Sequence, residues 1–350
     1  MRLGVAVAAF AVILGAAGCA ESAGTPATST ATSTAPAVGA SGCVAPAEVP
    51  PAVPRASAAT VGAVAQKLTL GTDATVSAFA LSRDGRTLVS GDWGGGVTVW
   101  DLDRGVATCA LPDSTDEVNG VTLSPDGSRA AAASSDGGVR VWNLAGGHPT
   151  VLTGHTAKVA DVTFSPDGAQ LASVGSDDTI RLWTAADGAA GPTVNAAGNV
   201  YALAWSPDGR TIAATSDGTV SLIGSDGTPG VTLATGNERA VNGVAFSPDG
   251  TLIAAASEDS TVHLWRIADG APVHVFDGPV NWLQAVALSP DGAMVAATGN
   301  QGSTFVWDLA TGRQLQKLQN DGASYDLAFS PDGTALVAGS SEQIWTWRLR

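Results

Sequence analysis

An all-β repeat fold is predicted by three features of this chain: a recurring turn, short apolar runs around it, and a recurring tryptophan. The tetrapeptide Ser-Pro-Asp-Gly, once as Ser-Arg-Asp-Gly, returns every 41 or 42 residues, starting at Ser82, Ser124, Ser165, Ser206, Ser247, Ser289 and Ser330. Proline and aspartate favour a tight turn at these points, and glycine adopts the positive φ that the turn needs. A period of this length indicates a repeat architecture in which one small unit is stacked many times.

Each repeat unit holds four short apolar runs. The first ends just before the turn (Val162–Phe164), the second follows it (Leu252–Ala255), and the fourth leads into the next unit (Pro149–Leu152). The third ends in the recurring tryptophan, which stands 17 or 18 residues after the serine of the turn, at Trp100, Trp142, Trp183, Trp265, Trp307 and Trp347. In the fourth unit Ile223 takes this position. Four antiparallel strands per unit predict a seven-bladed β-propeller of four-stranded antiparallel blades over residues 65–350.

The last unit lacks its fourth run, because Arg350 follows directly on the third. Residues 66–70 align instead with the fourth run of the other units. We therefore expect this N-terminal segment to form the outer strand of the seventh blade and to close the ring. A closed ring leaves only short, protected sheet edges and needs no oligomer, so we expect a monomer.

The tryptophan positions resemble those of the WD-repeat family. The resemblance is carried by the period, the turn and runs such as Val97–Asp101 and Phe305–Asp308, in which Trp-Asp ends a strand. It implies that a structural hydrogen-bond tetrad of that family is formed in the third unit by His155, Ser173, Asp177 and Trp183. Aspartate recurs at the third of these positions in three other units, at Asp136, Asp217 and Asp259. Alanine replaces the serine at Ala132, Ala213 and Ala255, so we expect stability to depend on packing more than on polar networks.

The N-terminus has the pattern of an export signal. An apolar run, Leu3–Leu14, is shorter than the roughly 20 residues of a membrane-spanning helix and precedes Ala17-Gly18-Cys19. This pattern predicts a signal peptide over residues 1–18. It also resembles a bacterial lipoprotein box, which implies that Cys19 is lipidated and anchors the protein to the outer face of the bacterial cell membrane. Ordinary secretion without a lipid is the alternative.

Residues 19–64 are mostly Ala, Ser, Thr, Pro and Gly, which cannot bury a core, so we expect a disordered tether after the lipidated cysteine. In an oxidising compartment the two remaining cysteines, Cys43 and Cys109, are predicted to form a disulfide, with two free thiols as the alternative. The chain has 32 acidic and 17 basic residues, a net charge of −15, which argues against nucleic-acid partners.

Catalytic signatures are missing from the sequence. It contains no G-x-S-x-G, H-E-x-x-H or C-x-x-C motif and no phosphate-binding P-loop. The four histidines, His148, His155, His263 and His274, are not spaced like a pair of metal ligands, so we expect no metal and no cofactor. The seven turn aspartates recur in every unit, which indicates turn chemistry rather than a calcium site.

The candidate binding residues are those that the repeat does not explain. Trp93, Trp282 and Trp345 lie outside the recurring positions. In WD-repeat propellers, the two classes of loop that hold Trp93 and Trp282 share the face around the channel mouth, where partners usually bind. Register adds polar residues to this predicted face, which comprises Trp93, Glu117, Asn119, Lys158, Tyr201, Arg239, Asn242, Trp282, Gln284 and Tyr325. Asp161 and Asp326 are expected to face the channel.

Three functions remain open on this basis. The first is a non-enzymatic, membrane-tethered scaffold for an unidentified protein partner, for instance an envelope protein. The second is a sensor of glycans or small ligands, in which Trp93, Trp282 and Tyr325 stack on the ligand. The third is an extracytoplasmic hydrolase or lyase that uses Asp161 and Asp326, which a strongly raised pKa of one of these carboxyls would favour.

Overall fold

The computed structural model describes residues 66–69, 74–113, 116–196, 198–278, 282–319, 322–340 and 343–349. These residues form 28 β-strands, all within the unit of residues 36–350. None of them belongs to a helix long and apolar enough to cross a membrane. The predicted signal peptide and tether, with Cys19 and Cys43, lie outside the described residues.

Seven four-stranded antiparallel sheets, here numbered blades 1 to 7 in chain order, make up the fold. Blade 1 consists of β2 (Val76–Leu81), β3 (Thr87–Asp92), β4 (Val97–Asp101) and β5 (Val106–Ala110). Blade 2 consists of β6 (Val118–Leu123), β7 (Arg129–Ser134), β8 (Val139–Asn143) and β9 (Thr150–Leu152). Blade 3 consists of β10 (Val159–Phe164), β11 (Gln170–Gly175), β12 (Thr179–Thr184) and β13 (Ala190–Asn195). Blade 4 consists of β14 (Leu203–Trp205), β15 (Thr211–Ser216), β16 (Thr219–Gly224) and β17 (Pro229–Ala234). Blade 5 consists of β18 (Val241–Phe246), β19 (Leu252–Ser257), β20 (Thr261–Arg266) and β21 (Pro272–Asp277). Blade 6 consists of β22 (Leu283–Leu288), β23 (Met294–Gly299), β24 (Ser303–Asp308) and β25 (Gln314–Gln319).

Blade 7 joins the two ends of the described chain. It consists of β26 (Ser324–Phe329), β27 (Ala335–Ser340), β28 (Gln343–Arg348) and, as its outer strand, β1 (Gln66–Thr69). Leu68 lies opposite Ile344 in this pairing. The first strand of each blade contacts the first strand of the next, and β26 contacts β2, so the blades form a ring. The predicted seven-bladed propeller and its closure by an N-terminal strand are confirmed.

The recurring turn is stabilised by its own side chains. In all seven copies the serine Oγ donates a hydrogen bond to the aspartate Oδ1, at 2.5–2.6 Å. Asp208 Oδ1 also accepts the N–H of Arg210, and Ser206 Oγ accepts that of Thr211. Gly209 then adopts a φ of 69°, which glycine tolerates best. The serine hydroxyl and the backbone N–H hold the pKa of each turn aspartate below its usual value.

The core lies between neighbouring blades. One cluster joins Val89 and Val99 of blade 1 to Val118 and Trp142 of blade 2, and similar clusters connect the blades that follow. Trp142 is fully buried, and truncation of such a residue typically costs about 3–5 kcal/mol. Ile223, which replaces the tryptophan in blade 4, is also buried. Each blade is therefore held mainly by apolar contacts with both neighbours.

Deletion of residues 65–71 should lower the melting temperature, because it removes the outer strand of blade 7 and leaves β28 as an unpaired edge. Thermal unfolding followed by circular dichroism tests this. A deletion of equal length at residues 24–30 is the control and should leave the melting temperature unchanged. An unchanged melting curve for the first deletion would contradict the role of β1 in closure.

Candidate functional site

Two classes of loop lie together at one end of the ring. The loop between the second and third strands of a blade bonds to the loop that enters its first strand: the N–H of Trp93 donates to the Thr75 carbonyl at 3.0 Å, and that of Ser135 to the Glu117 carbonyl at 2.9 Å. The same bond joins Glu258 to Ala240 in blade 5. We call the described residues of these loops, together with Tyr325 on the adjoining strand β26, the mouth surface.

Three aromatic residues of the predicted face occupy consecutive blades. Trp93 of blade 1 and Trp282 of blade 6 are 46% and 48% exposed. The Trp93 ring lies 5.1 Å from that of Tyr325, centroid to centroid, and Tyr325 belongs to blade 7. The aromatic contact therefore spans the seam between blades 7 and 1. We call Trp93, Trp282 and Tyr325 the aromatic sector.

Trp282 is held in an unusual backbone conformation. Its φ of 61° is an outlier for a bulky side chain. The N–H of Asn300 donates to its carbonyl at 3.4 Å, and a Cβ added to Gly299 would lie 2.4 Å from that carbonyl oxygen. Trp345 differs from the other two tryptophans outside the repeat, because it is partly buried and stacks on Trp347. It is not part of the mouth surface.

The polar residues of the predicted face have different environments. The side-chain amides of Asn119 and Asn242 donate to the carbonyls of Val159 and Leu283, each in the next blade, at 2.8 and 2.9 Å. Tyr201 donates its hydroxyl to Asp217 at 2.7 Å. Burial, together with this bond, raises the pKa of Tyr201 to about 12. Exposed side chains are contributed by Glu117, Lys158 and Arg239.

The channel contains a cavity of about 180 Å³. Its polar lining includes Asn119, Asp161, Tyr201, Asn242, Gln284, Tyr325 and Asp326. The register of the repeat thus placed the inner members of the predicted face and both aspartates around one space. Trp93, Glu117, Lys158, Arg239 and Trp282 do not line this cavity.

Asp161 and Asp326 each link two blades. Asp161 of blade 3 accepts the N–H of Val162 and, from blade 4, that of Leu203, both at 2.8 Å. Asp326 of blade 7 accepts the N–H of Leu327 at 2.7 Å and, from blade 1, that of Phe79 at 2.8 Å. Both oxygens of each carboxylate are therefore bonded to the backbone.

Burial raises the pKa of both channel carboxyls. It outweighs the backbone N–H groups that favour the charged forms, and the pKa reaches about 7 for Asp161 and about 6 for Asp326. The charge of Asp326 further raises the pKa of Asp161. Both side chains are partly exposed to the channel, so water there lowers the cost of charging them. The surrounding ring limits this effect.

The four tetrad residues of blade 3 lie within hydrogen-bonding distance. His155 Nε2 is 2.8 Å from Ser173 Oγ, which also accepts the Trp183 Nε1–H at 2.9 Å. His155 Nδ1 is 3.0 Å from Asp177 Oδ1. Burial lowers the pKa of His155 despite the nearby carboxylate. Burial opposes ionisation of Asp177, but the Thr156 N–H and His155 outweigh it and hold its pKa well below the usual range.

Polar networks extend beyond blade 3, which the sequence analysis missed. Ser90 accepts the Trp100 Nε1–H at 2.9 Å in blade 1. In blades 2 and 5, Arg140 and His263 on the third strand bond to the recurring aspartates Asp136 and Asp259. The sequence does contain this signal, because Ser90 and Ser173 lie the same number of residues after the turn serine of their own repeat unit. In these two blades the third strand thus supplies a partner for the aspartate in the absence of the tetrad histidine.

Blade 3 has a third-strand cation that this network does not use. Arg181 occupies the position of Arg140 and His263, four residues after its aspartate. His155 already bonds that aspartate, Asp177, and the buried Nε of Arg181 has no hydrogen-bond partner.

The remaining candidate residues concern metals and the disulfide. No group of three or more His, Cys, Asp or Glu side chains that could hold a metal occurs in the described part of the chain. His148 is exposed and lies 2.8 Å from Asp113, and His274 packs edge-on against Phe276. Cys109 is buried on β5 and is disulfide-bonded, but Cys43 lies outside the described residues, so their pairing stays a prediction.

Comparison with known protein families gives a match over more than half of the chain. A family model described as "WD domain, G-beta repeat" matches residues 65–101, 106–143, 146–184, 192–223, 227–266 and 270–308. Each match spans the outer strand of one blade and the first three strands of the next. Residues 309–350, which include three strands of blade 7, are not matched. None of the curated proteins compared with the chain matches it.

The free energy of unfolding should fall as the pH rises from about 4 to about 7. The pKa of an unfolded aspartate is near 3.9, whereas folding raises that of Asp161 to about 7 and that of Asp326 to about 6. The folded state therefore holds more protons in this window, and the stability that they contribute is lost as they dissociate. We expect a loss on the order of 2 kcal/mol, measured by urea unfolding at several pH values.

Asp161→Asn should remove much of this pH dependence. Asp187→Asn, an exposed carboxylate at the opposite end of the ring, controls for net charge and should retain the parent slope. Equal slopes for the parent and Asp161→Asn would show that the channel carboxyls are not responsible.

His155→Ala should destabilise the ring by about 1–3 kcal/mol, and Arg181 should limit this loss. With the imidazole gone, Arg181 is free to bond Asp177, as Arg140 bonds Asp136 in blade 2. The double variant His155→Ala/Arg181→Ala should therefore lose about 1 kcal/mol more than the sum of the single losses. Additive losses in a double-mutant cycle of urea unfolding would reject this rescue.

Proposed function

Because the chain belongs to the WD-repeat family, we propose that it is a non-enzymatic interaction scaffold whose mouth surface binds a protein partner. WD-repeat propellers commonly mediate protein–protein interactions. A fold alone does not fix a function, so the proposal rests on the site.

The observation that carries the proposal is the pair of half-exposed tryptophans at the mouth. Large aromatic side chains dominate the binding energy of many protein interfaces. Trp93 and Trp282 stand on loops that backbone hydrogen bonds hold in place, and Tyr325 supports the Trp93 ring. A surface positioned before binding loses less conformational entropy when a partner docks.

A small-ligand sensor is the second candidate, and the aromatic sector is what favours it, because its rings offer stacking platforms to a glycan. The channel gives it less support. Its cavity of about 180 Å³ is smaller than the roughly 300–1,000 Å³ of usual ligand pockets. The open mouth therefore fits a macromolecular surface better than an enclosed small molecule.

Catalysis is the least supported candidate, although the raised pKa of Asp161 would suit a proton donor. Burial and the neighbouring Asp326 explain that pKa without a reaction. Both Asp161 oxygens accept backbone N–H groups, one from each of two blades, so a catalytic role would have to break these bonds.

We further propose that the scaffold is extracytoplasmic and tethered to the outer face of a bacterial membrane by a lipid on Cys19. The sequence pattern of residues 1–19 supports this, as does the disulfide at Cys109, since disulfides persist mainly in oxidising compartments. A flexible tether of about 45 residues would reach roughly 35–40 Å. We propose a monomer without a cofactor and without nucleic-acid partners.

The double variant Trp93→Ala/Trp282→Ala should lose its partner while the ring stays folded. The tagged full-length protein is cross-linked in intact cells of the source organism, and the captured proteins are compared by mass spectrometry. A partner that the parent captures should be at least about tenfold depleted with the variant, because two interface anchors are gone.

The matched control is Val231→Ala/Val273→Ala, which truncates two exposed apolar side chains on outer strands, away from the mouth. It should capture the partner as the parent does. Capture that is equal for all three proteins would reject the mouth as the binding surface, and thermal unfolding verifies that each variant is folded.

A further inference from the structure

The mouth surface divides into two sectors of different chemistry. The aromatic sector spans blades 6, 7 and 1. Nearly all the charged side chains in the described mouth loops belong instead to blades 2 to 5. Within the described residues, the aromatic side chains therefore lie on one side of the channel and the charged side chains on the other, while Asp73, Asp321 and Glu342 lie outside the described residues.

The charged sector is strongly acidic. Its described loops hold ten carboxylates, and four of these contact a cationic or histidine side chain: Asp113, Asp136, Asp177 and Asp259. The other six have no such contact within the described residues: Asp116, Glu117, Asp178, Asp217, Glu238 and Glu258. Lys158 and Arg239 are the cations of these loops. We call this set of loops the acidic sector.

Most arginines of the described residues lie at the opposite end of the ring. Seven of them stand in or beside the recurring turns and the loops between third and fourth strands: Arg83, Arg86, Arg104, Arg129, Arg210, Arg266 and Arg313. Asp161 and Asp326 lie in the channel beneath the mouth, where burial raises the pKa of each carboxyl and so reduces its negative charge near neutral pH. The opposite end also holds more carboxylates than arginines, the seven turn aspartates among them. The mouth loops, with ten carboxylates against Lys158 and Arg239, nevertheless have a strongly negative electrostatic potential.

We propose that the mouth surface binds a basic polypeptide segment. Its apolar side chains would pack on the aromatic sector, and its lysine or arginine side chains would face the acidic sector. The inference rests on the proposed function and names the chemistry of that partner. Charge complementarity selects this occupant, because the negative mouth repels nucleic acids and anionic lipid surfaces.

The geometry gives the basic segment two ways to bind. Trp93 and Tyr325 lie close together at the mouth, and a cation placed over the face of such a ring gains from the aromatic quadrupole. The six carboxylates surround the remaining part of the mouth and act together, since single exposed ion pairs contribute little. Binding should therefore be fast, salt-sensitive and dependent on both sectors.

The test uses the full-length protein and two labelled peptides: one of repeating lysine, serine and leucine, and one with glutamate in place of every lysine. Fluorescence anisotropy should show saturable binding of the lysine peptide and at least about tenfold weaker binding of the glutamate peptide. Raising the salt concentration from about 50 mM to about 500 mM should weaken binding of the lysine peptide by about tenfold or more.

The mouth variant Glu117→Gln/Glu238→Gln/Glu258→Gln should weaken the lysine peptide by about tenfold. Its matched control neutralises three exposed carboxylates at the other end of the ring, Asp103→Asn/Asp187→Asn/Asp269→Asn, and should stay within about twofold of the parent. Equal weakening by both variants, equal binding of both peptides, or no binding of the lysine peptide would overturn the proposal.

The partner found by cross-linking separates this inference from the proposed function. Loss of that partner with both the tryptophan variant and the glutamate variant supports the two together. Loss of the partner with the tryptophan variant alone would overturn the proposal of a basic partner but leave the proposed scaffold function standing. Capture that neither variant reduces would overturn both.

Discussion

The pairing of β1 with β28 is the constraint on which the rest of the structure depends. Six blades are built from consecutive strands, but blade 7 needs a strand from the other end of the chain. The seam between this blade and blade 1 is crossed by contacts that include the Phe79 N–H to Asp326 and the Trp93 ring to Tyr325. The aromatic sector therefore exists only in the closed ring, so closure and the proposed binding site are coupled.

The side-chain hydrogen bonds of the recurring aspartate differ from blade to blade, depending on which partner lies nearby. The recurring aspartate bonds His155 from the entering loop in blade 3, but Arg140 or His263 from the third strand in blades 2 and 5. The recurring aspartate lies in the loop between the second and third strands, within hydrogen-bonding distance of both the entering loop and the third strand, so either can supply its partner. Packing between blades can then stay similar while individual polar partners change.

The sequence predicted most of the fold and the inner part of the site, for a physical reason. A strict repeat sets the register of every strand, and register alone places Asp161, Tyr201 and Asp326 around one cavity. Loops have no such constraint. The contact of Trp93 with Tyr325 joins residues from opposite ends of the described chain, and Trp282, with a φ of 61°, has its carbonyl bonded to the Asn300 N–H of another loop. Neither could be read from a periodic pattern.

The closing strand has a consequence for the order of folding. Leu68 and its partner Ile344 stand 344 − 68 = 276 residues apart, so their pairing is among the most non-local contacts in the chain. Bringing such distant segments together loses chain entropy before any hydrogen bond forms between them. This loss favours late formation of the β1–β28 pair. Because β1 precedes the other described strands on the chain, it leaves the ribosome before them and stays without its partner until β28 has emerged.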